Sequence, residues 1–273
     1  MKRVHVLEFE DLQWFPGWLR TALTNVIVVF SRALGVTPVL AQLVSRALEQ
    51  QRIDQIVDLG SGGGGVMPDV LERLRAVPAT SSAELTLSDL YPNRDALEVF
   101  NDPQAAELRY LADPVDATDF SSAPPGLKTM VNCFHHMRPA TARAILESAH
   151  DNGEPILIYE MGVNKIPFAL WLFGLPLALP LVAITCLLLT PFVRPLTLRQ
   201  LFFTYVIPLV PIFYAWDGQA SMPRLYTADD IDELLEGLDS PTYRWEKGGA
   251  PTEKGKTLGT YLLGMPTSEE SPA

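Results

Sequence analysis

Cysteine and positive charge are scarce in this sequence. Its 273 residues include two cysteines, Cys133 and Cys186, which excludes a disulfide framework and a cysteine-rich metal site. Basic residues number 21 against 32 acidic ones, so the net charge is -11 at pH 7. Nucleic-acid binding is not expected, because neutralising phosphates requires a basic face. With 19% charged and 48% hydrophobic residues, the chain is expected to fold around a sizeable core.

Motifs for metal and hydrolase chemistry are also missing. The sequence has four histidines, and none has the H-x-x-x-H or H-E-x-x-H spacing that binds zinc from one face of a helix. It contains no G-x-S-x-G nucleophile elbow. We therefore expect neither a resident metal nor Ser-His-Asp catalysis.

The most prominent local pattern is an apolar strand that leads into a glycine-rich turn. Such a turn lets the backbone approach a ligand closely and directs helix N-terminal amides at it. Gly60, Gly62 and Gly65 fit the dinucleotide pattern G-x-G-x-x-G. The pattern acid-x-G-x-G-x-G is matched equally well, by Asp58, Gly60, Gly62 and Gly64. The turn alone predicts a nucleoside-binding α/β domain and leaves the cofactor open.

Acidic residues around the turn favour one cofactor. Asp89 ends the second predicted strand, where a carboxylate can accept hydrogen bonds from both ribose hydroxyls. Asp58 directly precedes the turn, where it would repel a pyrophosphate but attract the ammonium group of a methionine moiety. Asp116 follows the third predicted strand, and His135 and His136 follow the fourth. With these features the sequence resembles the class I S-adenosylmethionine-dependent methyltransferases.

The resemblance covers residues 53–263 apart from a hydrophobic block. It implies a Rossmann-like, doubly wound, mostly parallel seven-stranded α/β sheet with an N-terminal helical segment and an apolar helical insertion. It also implies S-adenosylmethionine as the cofactor. The cofactor-binding residues it implies are Asp58, Gly60, Gly62 and Gly64 at the methionine moiety, Asp89 at the ribose, and Leu90 and Asp116 at the adenine.

The charge distribution divides the chain into segments. Between Ile166 and Trp216 the only charged residues are Arg194 and Arg199. We predict an N-terminal helical segment at 1–50, the cofactor-binding core at 51–165, a hydrophobic membrane-associated insertion at 166–216, the rest of the core at 217–264 and a disordered tail at 265–273.

The insertion is long enough to enter a bilayer. Its first uncharged stretch, residues 166–193, exceeds the ~20 residues that cross the hydrocarbon core as one helix. Internal prolines favour kinked or broken helices that lie in, or dip into, one leaflet. A transmembrane hairpin and a cap buried against the domain or a dimer partner are the alternatives. Because the chain is acidic, we expect hydrophobic rather than electrostatic contact, at the cytoplasmic face of a membrane.

The predicted activity is methyl transfer to a hydrophobic small molecule, such as a lipid, a fatty acid or a prenylated ring. An oxygen acceptor needs a base, and His135, Glu160 and Asp217 are the candidate catalytic residues. Arg224 and Tyr226 are candidate substrate-binding residues, although Asp217 and Arg224 could simply pair with each other. A non-catalytic, membrane-anchored binding or scaffold protein and a nicotinamide-dependent oxidoreductase are the alternative functions.

Overall fold

The computed structural model describes residues 1–267 of the chain. Its centre is a seven-stranded sheet in the order β3-β2-β1-β4-β5-β7-β6. Strands β1 to β5 are parallel, whereas β7 runs antiparallel to both β5 and β6. The strands are β1 Gln55–Leu59, β2 Glu84–Ser88, β3 Leu108–Tyr110, β4 Leu127–Val131, β5 Ile156–Glu160, β6 Tyr243–Pro251 and β7 Thr257–Pro266. The predicted fold class is confirmed.

Helices lie on both faces of the sheet and form the insertion. Over the described residues they are α1 Gly17–Leu34, α2 Val36–Gln51, α3 Met67–Arg75, α4 Arg94–Phe100, α5 Pro139–Asn152, α6 Phe168–Leu189, α7 Leu198–Tyr205, α8 Leu209–Arg224 and α9 Ala228–Leu235. The insertion consists of α6, α7 and α8, between β5 and α9.

The core follows from the buried faces of the central strands. Val44 of α2 and Leu85 of β2 belong to a hydrophobic cluster on one face of the sheet. Ile145 of α5 and Ile158 of β5 belong to a second cluster on the other face. Strands buried on both faces appear in the sequence as nearly continuous apolar runs, as in β5, where all five residues are buried.

The apolar insertion differs from the expected broken helices. Helix α6 continues for 22 residues through Pro176 and Pro180. Each proline deprives one carbonyl of its amide donor, and the packing of α6 against α8 offsets this local cost. The chain does bend where Pro208 caps α8, since α7 and α8 meet at 77°.

Three segment boundaries also differ from those predicted. The polar residues from Asp217 to Arg224 are the second half of α8, so this helix crosses the predicted boundary at 216/217. Residues 1–16, which we call the N-terminal strap, contain only a single 3-10 turn, Phe9–Asp11, instead of a helix. The last strand extends to Pro266, so residues 265 and 266 lie in the sheet. Residues 268–273 of the predicted tail lie outside the described part of the chain.

Candidate active site

A cavity of about 1730 Å³ opens at the carboxyl edge of the sheet. Ligand pockets usually measure about 300–1,000 Å³, so this cavity has room for a cofactor and an acceptor together. Its walls come from the glycine turn after β1, the loops after β2 and β4, the N-terminal strap, and helices α1 and α8.

Some glycines of the turn contribute backbone to the cavity wall, and others do not. Gly62 lines the cavity, has a φ of +52° and would meet no atom within 4 Å if it carried a Cβ. Gly60 lines the cavity as well. Gly64 does not: its φ is +100°, and a Cβ there would lie 2.4 Å from the ring of Phe100. Packing against Phe100 is sufficient to require a glycine here, so the ligand-binding role of Gly64 stays a prediction, for a residue outside the cavity wall.

The residues expected around ribose and adenine all line the cavity. Asp89 accepts the backbone N–H of Gly62 at 2.9 Å through Oδ2 and that of Tyr91 at 2.8 Å through Oδ1. Leu90, which is 44% exposed, presents an apolar surface beside it. Asp116 is exposed and accepts the N–H of its neighbour two residues on, at 2.8 Å. Their roles toward a cofactor stay predictions, now with compatible positions.

Asp58 is more deeply buried than the sequence indicates. Its carboxylate accepts the hydroxyls of Ser61 at 2.6 Å and Thr129 at 2.7 Å. Burial raises the pKa of this carboxyl from 3.8 to about 7. Because Asp58 and Ser61 both line the cavity, an ammonium group placed there would stabilise the charged form of Asp58.

His135 and Glu160 form a buried pair in the cavity wall. Glu160 Oε2 lies 2.9 Å from His135 Nδ1, and Glu160 Oε1 accepts the backbone N–H of His135 at 2.9 Å. This geometry assigns the imidazole proton to Nδ1 and leaves the Nε2 lone pair free. Glu160 therefore orients His135 and is not itself a free base.

Asp217 and Arg224 do not pair with each other, because the strap occupies both. Asp217 accepts the backbone N–H groups of Phe9 at 2.8 Å and Glu10 at 3.1 Å. Arg224 has no exposed surface, and its guanidinium contacts Glu8 at 3.1 Å and Asp11 at 2.7 Å. Asp217 still lines the cavity, whereas Arg224 does not.

The substrate-binding roles predicted for Arg224 and Tyr226 do not fit their positions. Neither residue is part of the cavity wall. The Tyr226 hydroxyl donates to the carbonyl of Met137 at 2.8 Å, and the guanidinium of Arg3 lies 4.3 Å above its ring. Both residues fasten the strap to the core, so any influence on substrate is indirect.

Sequence reasoning missed the strap as part of the site. Glu8 is 1% exposed, and its carboxylate reaches His136 Nδ1 at 3.2 Å. Asp11 lies 2.7 Å from the same nitrogen. The one available signal was acidic residues set among apolar ones, with Glu8 between Leu7 and Phe9, and it does not say which surface the strap covers.

Comparison with known proteins identifies the fold. No protein-family model matches the chain, and no curated protein matches it. A solved O-methyltransferase family protein from Burkholderia thailandensis superimposes with a TM-score of 0.51 at 16% identity, over 92% of this chain and 60% of that one. Human N-acetylserotonin methyltransferase, solved in complex with SAM, gives a TM-score of 0.46 at 14% identity, over 87% of this chain and 55% of that one. This chain thus spans about 60% of the length of the first structure.

The strand order and the antiparallel β7 agree with that likeness. The chain has the class I methyltransferase fold. In this fold the glycine turn after β1 and the acid after β2 meet at one edge of the sheet, because both follow neighbouring parallel strands.

The residues of the methyltransferase fold present here fit S-adenosylmethionine. Gly62 leaves open space for close approach of a ligand to the backbone. Asp89, Leu90 and Asp58, predicted to contact the ribose diol, the adenine face and the ammonium group, all line the cavity.

Proposed function

We propose that the chain is an S-adenosylmethionine-dependent methyltransferase that acts on a hydrophobic acceptor at a membrane surface. The observation that most supports this is the continuity of the cavity. It extends from Gly62 and Asp89, at the cofactor end, to Arg199 of α7 and Tyr214 of α8, in the apolar insertion. An acceptor that enters among the apolar helices would therefore reach the cofactor without leaving the cavity.

The outer face of α6 supports membrane contact. Within the described residues, α6 and the turn after it form the one straight helical segment long and apolar enough to cross a bilayer. Residues spaced three or four apart share one helix face. The exposed stripe on α6 consists of Phe173 at 86%, Leu177 at 70%, Leu181 at 55%, Ile184 at 50% and Leu188 at 66% exposure. An apolar patch of this length is typical of a surface that lipid or another protein covers.

The attachment of the insertion to α1 favours entry into one leaflet over a crossing hairpin. Cys186 of α6, together with Val193 and Val210, packs in one hydrophobic cluster with Phe15 and Val26. The far end of the hairpin is thus held against the domain, with its stripe facing outward. We place the domain at the cytoplasmic face, because both cysteines are free thiols.

The chain's own residues would position the acceptor and accept its proton. S-adenosylmethionine supplies an electrophilic methyl group on a sulfonium, so orientation of the acceptor is the main requirement. His135 Nε2 carries the free lone pair in the cavity and would accept the proton of an acceptor hydroxyl. Glu160 would hold Nδ1–H and stabilise the resulting imidazolium.

Calorimetric titration of detergent-solubilised protein with S-adenosylhomocysteine tests the cofactor. We expect Asp89→Ala to weaken binding roughly 10- to 100-fold, since hydrogen bonds to a charged group contribute about 1.5–3 kcal/mol. Asp102→Ala is the matched control, because Asp102 also accepts the N–H two residues on but lies away from the cavity. Folded wild-type protein that does not bind S-adenosylhomocysteine would refute the proposal.

Flotation with phosphatidylcholine liposomes tests the membrane face. The double substitution Leu177→Lys and Leu181→Lys should leave the protein in the soluble fraction without changing its affinity for S-adenosylhomocysteine. Val99→Lys, at a 57% exposed position on α4, should float like wild type. The membrane role fails if the wild-type protein stays soluble while it methylates a soluble acceptor.

A further inference from the structure

Glu8, His135 and His136 bring three potential metal ligands together in the cavity wall. One ligand atom from each lies within 4.8 Å of the other two. The strap supplies the carboxylate, and the segment after β4 supplies both imidazoles. His135 and His136 are adjacent in the sequence, but only tertiary structure brings Glu8 to them, so no spacing motif in the sequence signals this group.

One oxygen of Glu8 lacks a hydrogen-bond partner. Glu8 is 1% exposed, and among residues 1–267 its Oε1 atom accepts no hydrogen bond. The nearest ring nitrogen, His135 Nε2, is 3.9 Å away, beyond hydrogen-bonding distance. The nearby Ser221 hydroxyl donates to the carbonyl of Asp217 at 2.8 Å instead. Buried carboxylate oxygens are rarely left unsatisfied, so this atom requires a partner.

His136 shows the complementary imbalance. Its Nδ1 atom faces two carboxylates, Asp11 Oδ1 at 2.7 Å and Glu8 Oε2 at 3.2 Å. A single N–H cannot serve both well, whereas a cation bound by Nδ1 and by Glu8 would need no N–H at that position.

We propose that Glu8, His135 and His136 bind one divalent transition-metal ion of the Zn²⁺ class, with one coordination position open toward the cavity. Bonds of about 2.1 Å in a tetrahedral zinc site place neighbouring ligand atoms about 3.4 Å apart. The distances of 3.9 Å from Glu8 Oε1 to His135 Nε2 and 3.2 Å from Glu8 Oε2 to His136 Nδ1 lie on either side of that value, so each carboxylate oxygen faces one imidazole. Imidazole ligands select zinc and its neighbours over magnesium and calcium.

Surrounding groups support the three ligands. Glu160 holds Nδ1 of His135 at 2.9 Å, the carboxylate–histidine arrangement that aims Nε2 at a metal. Arg224 contacts Glu8 Oε2 and opposes a cation there, but its second partner is Asp11 Oδ2 at 2.7 Å. The ion would replace the contact of Asp11 with His136, while Asp11 would keep Arg224.

The role of the ion rests on the proposed function, whereas its binding does not. An acceptor hydroxyl in the open position would have its pKa lowered by the ion and would release its proton to solvent. His135 Nε2 would then serve as a ligand and not as the proton acceptor. The acceptor class would be an alcohol or phenol on an apolar body.

The test is titration of the full-length, detergent-solubilised and chelator-stripped protein with Zn²⁺. We expect one ion per chain, bound about 100-fold or more weakly after Glu8→Gln or His136→Ala, and about 10- to 100-fold more weakly after Glu160→Gln. His150→Ala is the matched control, because His150 lies on α5 outside the cavity and should leave the affinity unchanged. Substitution with Co²⁺ should give visible bands without thiolate charge-transfer absorption, which separates this site from Cys133 and Cys186.

Parallel titration with S-adenosylhomocysteine separates the two proposals. If the metal-free protein binds S-adenosylhomocysteine but takes up no stoichiometric Zn²⁺, the metal site is refuted and the proposed function stands. If Zn²⁺ binds and S-adenosylhomocysteine does not, the proposed function is refuted and the metal site stands. Undiminished Zn²⁺ binding in Glu8→Gln and His136→Ala variants that still bind S-adenosylhomocysteine would also refute the site.

Discussion

The sheet and the strap form opposite sides of one cavity, but different forces hold them in place. The sheet is stabilised by apolar side chains from adjacent strands and helices, such as Ile56 and Leu85, both almost fully buried. The strap is held by buried charge, since Glu8 and Asp11 pair with Arg224, more than 200 residues away in sequence. Apolar burial is non-directional and tolerates small shifts, whereas a buried ion pair depends on each partner.

The proposed cofactor end therefore belongs to the packed sheet edge, whereas the proposed acceptor end depends on the buried charges of the strap. The glycine turn and Asp89 belong to the packed sheet edge. The strap carries Glu8 and covers His135, and polar contacts made by Arg224 and Asp217 hold it in place. We expect substitutions in the sheet edge and in the strap to differ in how much they change the free energy of unfolding and the affinity for S-adenosylhomocysteine.

The largest effect is expected from Arg224→Met. Loss of the guanidinium leaves Glu8 buried without its cation, and breaking a buried pair costs about 3–5 kcal/mol. The measurement is the urea midpoint of the detergent-solubilised protein. Arg73→Met is the control, since Arg73 contacts Glu253 at 3.7 Å with both side chains exposed, and such pairs contribute about 0–1 kcal/mol. Equal urea midpoints for the two variants would show that the buried ion pair of Arg224 does not hold the strap more strongly than an exposed pair would.

A somewhat smaller effect is expected from Gly64→Ala, on the sheet side. The new Cβ would lie 2.4 Å from Phe100 at a φ of +100°, and together strain and overpacking cost roughly 2–4 kcal/mol. Gly153→Ala has a φ of +60° with open space around the Cβ, so it should lose only about 1 kcal/mol. Thermal unfolding measures both, and titration with S-adenosylhomocysteine should show weaker binding for Gly64→Ala alone. Similar losses in both variants would mean that the Phe100 contact is not restrictive.

Much of the sheet side could be predicted from the sequence, because its signals are local. β1, β2 and α4 are each a short apolar or amphipathic run between polar turns, and the sequence alone predicts such elements. The placement of Asp58 and Asp89 at one edge follows from parallel strands that share their carboxyl ends. The pattern does not settle the role of Gly64, because a glycine pattern does not distinguish approach of a ligand from approach of Phe100.

The position of the strap and the internal geometry of the insertion could not be predicted, because both depend on distant partners. Nothing near Glu8 in the sequence indicates that it meets His136 or Arg224. The prolines of α6 predicted breaks, yet packing on α8 keeps the helix continuous through Pro176 and Pro180. Local propensity fails here because tertiary contacts outweigh it.

A pH effect is expected at the cofactor end, centred on Asp58. Its pKa of about 7 in the free protein means that, below this pH, the buried carboxyl is protonated. The ammonium group of S-adenosylhomocysteine favours the charged form, so binding should release a proton and strengthen as pH rises from 6 to 8, by at most about tenfold per unit. Calorimetry in two buffers of different ionisation enthalpy measures the proton release.

The Asp58→Asn variant is the control for that pH effect. It should bind more weakly, with no pH dependence over this range. In the absence of ligand, the contribution of Asp58 to the free energy of unfolding, taken as the difference between wild type and Asp58→Asn, should fall as pH rises from about 4 to 7, because the folded state holds this proton more tightly than the unfolded state. An affinity that falls with pH would contradict the placement of the ammonium group beside Asp58.

The smallest effects are expected at two helix caps, one in each region. Thr227 caps α9 in the core, where its hydroxyl accepts the N–H of Asp230, and Thr197 caps α7 in the insertion in the same way. Loss of an N-cap costs about 1 kcal/mol. Thr227→Ala should shift global unfolding by that amount, because α9 packs on the sheet face through Leu234. Thr197→Ala should shift it less, since α7 is a short, largely exposed helix that can fray by itself.

Proteolysis of the folded protein should then cut the Thr197→Ala variant faster than the Thr227→Ala variant. Faster cleavage of Thr227→Ala would indicate that the core opens more readily than the insertion.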